Sequence, residues 1–244
     1  MIRNLKALGL ALVAMLALSA VAASAASAQQ GKLTADGPVT LTATETGTPI
    51  NDNFFRNNTG TKVTCPGSTY TGHKYNVTPH GLIASGETTA TVTPKYATHC
   101  TAHIPILGTR PATVTMNSCD YVFHIGNTTP GGNGTYGVSA DLVCPGTGPQ
   151  IHIYKNNPAS HTTPEQICTI TVTPATDITG PHLTSTGGVA DDIDLDGIFT
   201  GIHETHEGSL CGTGTTNNAE LRVDITIKGQ TGGGVNTPVT ITDA

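Results

Sequence analysis

The fold is decided by two short stretches, CDYVFHI at residues 119–125 and VSADLVC at residues 138–144, in which apolar and polar side chains alternate. Alternation with a period of two is typical of a strand that buries one face. The same period recurs in VTLTA at residues 39–43, ITV at residues 170–172 and LRVDITI at residues 221–227. The predicted fold class is therefore all-β.

The two stretches also predict a hairpin. Gly131 and Gly132 lie midway between Cys119 and Cys144, and a glycine pair favours a tight turn. Folding the chain at this point sets three pairs opposite each other: Cys119 and Cys144, Tyr121 and Leu142, Phe123 and Ala140. Directly opposed Cα atoms in an antiparallel pair are about 4.5–5.5 Å apart, which a disulfide can span. We therefore expect a disulfide between Cys119 and Cys144.

Composition agrees with the all-β prediction. The chain has 29 Gly and 15 Pro, whose scatter through the sequence interrupts any long helix. It also has 44 Thr, a β-branched residue that suits the half-buried surface of a strand. Aromatic residues are few, so the core must consist mainly of Val, Ile, Leu and Ala. A core of this kind is thin, and disulfides would compensate for it.

A weak repeat suggests two units. Cys-Pro-Gly occurs at residues 65–67 and again at residues 144–146, and each copy is followed by a Cys-Thr pair and then by a further cysteine. We expect an antiparallel β-sandwich of two related Ig-like units, residues 29–115 and residues 116–244. The alternative is a chance order in a chain with six cysteines. Six cysteines allow 15 pairings, and for the other four we take Cys65 with Cys100 and Cys168 with Cys211 among the pairings that remain open.

The N-terminus has the order of a secretory signal peptide. Arg3 and Lys6 precede an apolar run at residues 7–18, and small residues follow up to Ala28. The run is shorter than the roughly 20 residues that a membrane-spanning helix needs. We expect cleavage after residues 1–28, a mature chain that begins at Gln29, and a secreted, extracellular location.

Charge limits the partners that we expect. Without Arg3 and Lys6, nine basic side chains remain against 17 acidic ones, a formal charge of −8. Nucleic acids and anionic membranes bind clusters of Lys and Arg, so we expect no nucleic-acid partner and no membrane insertion. The surface should consist of uncharged polar residues. A cell-surface or matrix partner is the expectation that remains.

The cysteine contexts carry a resemblance. The two Cys-Pro-Gly copies, Met-Asn-Ser-Cys-Asp-Tyr-Val-Phe at residues 116–123 and Cys-Thr-Ile-Thr-Val at residues 168–172 follow one another along the chain. The segment at residues 116–123 lies between the two Cys-Pro-Gly copies, and Cys-Thr-Ala at residues 100–102 precedes it. With these contexts the sequence resembles a group of uncharacterised bacterial secreted proteins rich in Thr and Gly, over roughly residues 33 to 230. The resemblance implies export and a β fold, and it implies no activity.

One motif suggests a metal. Asp192, Asp194 and Asp196, followed by Gly197, match the opening of a calcium-binding loop, in which carboxylates at alternate positions wrap a hard cation. The match ends at position 12 of the loop, where His203 stands in place of a bidentate Glu. The simpler interpretation is an exposed strand whose acids alternate with Ile193 and Leu195. Calcium is the one cofactor that the pattern suggests.

The second candidate, His-Glu-Thr-His-Glu at residues 203–207, lacks the spacing of a zinc protease helix. On a strand, Glu204 and His206 would share one face, and we expect solvated strand residues. His99 and His103 flank Cys100 and are expected to be polar surface. With no nucleophile and base in a catalytic pattern, we expect a secreted, non-enzymatic structural or binding protein. The alternatives are a calcium-dependent carbohydrate-binding module and a secreted hydrolase.

Overall fold

The computed structural model describes residues 31–35, 37, 39–45, 53–66, 69–72, 88–96, 99–128, 134–156, 165–185 and 193–243. The predicted signal peptide at residues 1–28 lies outside this part. The described residues form the strands β1 Gly31–Ala35, β2 Thr40–Glu45, β3 Phe54–Arg56, β4 Lys62–Thr64, β5 Thr69–Gly72, β6 Thr89–Lys95, β7 Cys100–Ile104, β8 Gly108–Thr115, β9 Asp120–Thr128, β10 Thr135–Val143, β11 Gln150–Tyr154, β12 Gln166–Val172, β13 Ala175–Ser185, β14 Ile193–Gly208, β15 Gly212–Gln230, β16 Asn236–Thr237 and β17 Val239–Asp243. They include no helix of the length and apolarity that a membrane crossing requires.

The strands combine into eight antiparallel legs. Leg A is β2 with β3, leg B is β4 with β5, leg C is β6 with β7, leg D is β8 with β9, leg E is β10 with β11, and leg F is β12 with β13. The long strands β14 and β15 alone form legs G and H. Each leg pairs with the next one along the chain, and β15 of leg H pairs with both β2 and β3 of leg A.

This last pairing closes the sheet into an eight-legged barrel. Closure leaves no bare sheet edge between the first and last legs. The all-β class is confirmed, and the sheet forms a closed barrel instead of the expected Ig-like sandwich architecture. The pairing also does not follow the predicted boundary between residues 115 and 116, because β2 pairs with β5 while β6 pairs with β9 across that boundary.

The barrel has two halves joined at a waist. The upper half holds β2, β5, β6, β9, β10 and β13, and the lower half holds β3, β4, β7, β8, β11 and β12. The waist is the level at which legs A to F pass from one strand to the other. Legs G and H cross it without a break, although leg G has a register shift between Phe199 and Ile202. Gly201 in this bulge has a φ of 74°, a left-handed conformation that glycine adopts without steric cost.

Apolar side chains alternate into the lumen of both halves, as a pleated strand requires. In the upper half the buried apolar residues include Leu41, Val92, Phe123, Val138, Leu195 and Ile225. In the lower half they include Phe55, Ala102, Ile151, Ile153, Ile170 and Ile202. The core is therefore one continuous column, and the sequence periodicity identified its inward positions.

Disulfides join the legs where the ladders are interrupted. Cys65 is bonded to Cys100 between legs B and C, and Cys119 to Cys144 between legs D and E, both at the waist. A third bond, between Cys168 and Cys211, joins leg F to the turn between legs G and H. These three pairs are the pairs expected from the sequence. The predicted D–E register is also observed, with Tyr121 opposite Leu142 and Phe123 opposite Ala140.

The strands β1 and β17 pair with each other outside the barrel ladder and pack near the upper ends of legs D and E. Gly31 lies so close to the barrel that a Cβ there would stand 2.6 Å from Ile125 and 2.7 Å from Tyr136. The Tyr136 hydroxyl donates a hydrogen bond to the Ile241 carbonyl over 3.4 Å. This two-stranded ribbon therefore packs tightly against the upper half.

Candidate functional site

The waist encloses an apolar cavity of about 70 Å³. All eight legs contribute side chains to its wall, among them Phe55, Tyr121, Leu142, Ile178, Phe199 and Leu221. The legs bring these residues together because the inward positions on either side of the waist face the same space. An eight-stranded barrel is just wide enough to be filled by side chains or to hold one small ligand.

Turns at the waist hold this wall in place. Leg D turns through Asn117 and Ser118, whose φ values of 52° and 61° are left-handed. The Asn117 side chain then donates a hydrogen bond to the Gly148 carbonyl of leg E over 2.8 Å. With the adjacent disulfide of Cys119 and Cys144, this bond fixes legs D and E together beside the cavity.

Each of the four polar side chains in the described cavity wall already has a partner. The hydroxyl oxygens of Tyr96 and Tyr121 are 3.1 Å apart and share a hydrogen bond. Asn53 donates to the Asp224 carbonyl over 3.1 Å, and Arg222 donates to Asp196 over 2.8 Å. The wall therefore presents hydrocarbon to the cavity, which favours an apolar occupant.

Burial also affects the tyrosine pair. It raises the pKa of Tyr121 above the ordinary value of 10.0, and the hydrogen bond with Tyr96 opposes this rise. Tyr121 is therefore a neutral hydroxyl at physiological pH. The cavity wall holds no charge at this position.

A polar cluster lies in the lower half beside this cavity. The Glu204 side chain is 0% exposed, and its Oε1 accepts a hydrogen bond from the Thr216 hydroxyl over 3.1 Å. The same oxygen lies 3.3 Å from Nδ1 of His206, whose side chain is 9% exposed. The other carboxyl oxygen, Oε2, is buried without a hydrogen-bond partner among the described residues.

The position of this cluster connects it to the cavity. Glu204 lies two residues beyond Ile202 on leg G and directly opposite Val172 on leg F, and both of these residues line the cavity. Because side chains two apart on a strand share a face, Glu204 points into the same lumen one pleat below Ile202. The cavity and the buried carboxyl group are therefore neighbours.

The predicted calcium residues do not form a loop where the structure describes them. Asp194 and Asp196 lie on β14 and alternate with buried Ile193 and Leu195, and Asp192 lies outside the described residues. Thr226 donates to Asp194 over 2.8 Å, and the Asp196 side chain is 62% exposed. Within the described part of the chain, no group of three or more His, Cys, Asp or Glu is placed to hold a metal ion.

The prediction of solvated strand residues at positions 203–207 is wrong for two of them. Glu204 and His206 share one face as expected, but this face is turned into the barrel, while His203 and Glu207 are exposed. His99 and His103 are exposed, as predicted. The periodicity identified the strand, but it could not show which of two polar faces is inside.

Comparison with protein-family models, with curated proteins and with solved structures finds no significant match to this chain.

Proposed function

We propose that this chain is an exported, non-enzymatic binding protein that takes a small, largely apolar molecule into the waist cavity. The observation that carries the proposal is the cavity itself, which all eight legs line with apolar side chains. Binding sites for small molecules are concave, mostly apolar and largely preformed, and a closed barrel supplies all three properties. The ligand gains free energy by removing its hydrocarbon surface from water.

Cavity size limits the class of ligand. A dry apolar cavity of about 150 Å³ binds benzene or xenon. The waist cavity, at about 70 Å³, is smaller. Without movement of the wall it accommodates a xenon atom or a short alkyl chain, and side-chain movement would admit a longer chain. We therefore assign it to short alkyl groups rather than to ring systems.

The non-enzymatic part of the proposal rests on the composition of the wall. The titratable side chains that line the cavity are Tyr96, Tyr121 and Arg222. The two tyrosines bond each other, and Arg222 is paired with Asp196. General acid and base catalysis needs a group within reach of the reacting atoms that can exchange a proton near neutral pH. A hydrolase would also need a Ser, Thr or free Cys nucleophile or a pair of carboxyl groups, and the described cavity wall contains none of these, so a hydrolase has less support than a binding protein.

The calcium-dependent carbohydrate-binding alternative also has less support. Asp194 and Asp196 accept hydrogen bonds from Thr226 and Arg222, and their strand does not converge them on one point. Several expectations from the sequence remain predictions. They are the signal peptide at residues 1–28, secretion, a cell-surface or matrix partner, the absence of nucleic-acid binding, two related β-units and membership of a group of bacterial secreted proteins. The three disulfides support an oxidising compartment.

The test is binding of xenon and 1-butanol to the oxidised protein, followed by ¹²⁹Xe NMR and by methyl NMR of the cavity wall. Ala140 lines the cavity, so Ala140→Leu should fill it and weaken both ligands by about tenfold or more. The matched control is Ser139→Leu, which adds the same side chain at the next position of the strand, on the other face. If the unmodified protein binds neither xenon nor butanol, the proposal fails.

A further inference from the structure

We infer that the ligand of the waist cavity carries an amino group, which the buried carboxyl group of Glu204 binds. This inference rests on the proposed function, because it specifies one end of a molecule whose alkyl part occupies the cavity. The observation that carries it is the Oε2 atom of Glu204, which is buried without a hydrogen-bond partner among the described residues. A buried polar atom of this kind is rare in folded proteins and calls for an explanation.

The protein supplies hydrogen bonds to one carboxyl oxygen of Glu204 and leaves the other without one. Thr216 donates to Oε1 over 3.1 Å, and Nδ1 of His206 lies 3.3 Å from the same atom. These two contacts fix the orientation of the carboxyl group. Oε2 is therefore held in position for a donor that the described residues do not provide.

The described neighbouring strands do not supply this donor. On leg F their inward residues are Ile170 and Val172, and on β11 of leg E they are Ile151 and Ile153, all of them apolar. Arg110 of β8 stands opposite the buried Ala102, and its Nε is also buried without a partner among the described residues. Arg110 is only partly buried, so its flexible side chain can extend toward solvent, whereas Glu204 has no exposed surface.

The chemistry of Glu204 favours an amine over other head groups. An ammonium group brings three donors and a positive charge, and a charge-assisted hydrogen bond is about twice as strong as a neutral one. A hydroxyl group brings one donor and no charge. A carboxylate brings no donor, so it cannot supply the hydrogen bond that Oε2 lacks.

The cavity and Glu204 are neighbours along the lumen, so one ligand can place its alkyl chain in the cavity and its amino group at Glu204. Val172 lines the cavity and is the direct ladder partner of Glu204, and Ile202 lines the cavity from two residues away on the same face. A molecule with its alkyl chain in the cavity therefore needs to reach one pleat further down the lumen to meet Oε2. The structure assigns the site to a short alkylamine.

The experiment compares 1-butylamine, 1-butanol and butyrate as ligands of the oxidised protein by calorimetry at neutral pH. The amine should bind about tenfold or more tightly than the alcohol, and butyrate most weakly. Glu204→Gln should weaken the amine by about tenfold or more and leave the alcohol within about twofold, because it replaces one carboxyl oxygen by an NH2 group and keeps the shape. The matched control is Glu207→Gln, an exposed position on the opposite face of the same strand, which should change neither affinity.

Each other outcome overturns the inference. Equal affinities for amine and alcohol, with no effect of Glu204→Gln, would mean that Oε2 holds a buried water only, and the proposed function would stand. Tightest binding of butyrate would assign the polar end to Arg110. If xenon and all three ligands fail to bind, the proposed function fails as well. Should Glu204→Gln not fold, Glu204→Asp serves instead, because a carboxyl group withdrawn by one methylene should weaken the amine and spare the alcohol.

Discussion

The two halves of the barrel are built by the same eight legs, yet their interiors differ. Around Phe123, Leu195 and Ile225 the upper lumen is apolar, whereas the lower lumen contains Glu204 and His206 among isoleucines. Burial of an apolar side chain stabilises a fold, while burial of an acid has to overcome the loss of its hydration. The same barrel closes around both kinds of interior, the apolar one and the one with a buried acid. Apolar side chains fill both halves, and the lower half adds a buried polar pair.

The largest expected effect is a loss of stability caused by a substitution in the upper half. Leu195 is 1% exposed, and Leu195→Ala should lower the free energy of unfolding by about 2–5 kcal/mol, because it removes buried methyl groups and leaves a cavity. Urea unfolding monitored by circular dichroism measures this change. The control is Thr200→Val on the exposed face of the same strand, which should stay within about 0.5 kcal/mol of the unmodified protein. A loss below about 1 kcal/mol for Leu195→Ala would contradict the comparison.

The second prediction applies to the lower half and has the opposite sign. The double variant Glu204→Leu with His206→Leu replaces a buried polar pair by apolar side chains. Such replacements are often neutral or stabilise a protein by about 1–4 kcal/mol, so we expect unfolding in urea at an equal or higher midpoint. Binding of 1-butylamine should be lost in the same variant. A large loss of stability would show that the polar pair is needed by the fold itself.

The smallest expected effect is on the outer surface of the upper half. Partial burial opposes the ionisation of Asp141, but the Asp177 backbone N–H and the His124 ring outweigh it, so the pKa of Asp141 falls below its ordinary value of 3.8. A lowered pKa in the folded state adds stability above the unfolded pKa and loses it as the pH falls through the folded pKa. Asp141→Asn should therefore destabilise the protein slightly at neutral pH.

The measurement for Asp141→Asn is the midpoint of thermal unfolding as a function of pH. The difference from the unmodified protein should shrink as the pH falls below about 3.8 and disappear below the folded pKa. A difference that stays constant down to acid pH would mean that Asp141 acts through its shape and not through its charge.

Strand positions could be predicted wherever one face is apolar and the other polar. The hairpin of legs D and E is the clearest case, because the pairs of Tyr121 with Leu142 and of Phe123 with Ala140 are observed as predicted, while the predicted turn at Gly131 and Gly132 lies outside the described residues. The acids of β14 follow the same rule. Because Ile193 and Leu195 alternate with these acids, the simpler interpretation was a strand with outward acids. Asp194 and Asp196 lie on such a strand.

Barrel closure and the polar cluster were beyond prediction for physical reasons. Closure pairs Leu221 of leg H with Phe55 of leg A, and the periodicity of a strand does not show which distant strand it pairs with. Along residues 203–207 both faces of the strand are polar, so hydrophobicity cannot assign the inside. Pairing of Glu204 with Val172 and Thr216 decides its orientation, and this is a property of the assembled sheet.

The pairing of leg H with leg A has a consequence for biosynthesis. Legs A to G emerge from the ribosome in order and can pair with their neighbours, but β2 and β3 lack their closing partner until β15 has been made. Until then the nascent chain is an open sheet with two bare edges, and bare edges template pairing with other chains. A chain truncated within leg H would keep both edges bare, and we expect it to aggregate.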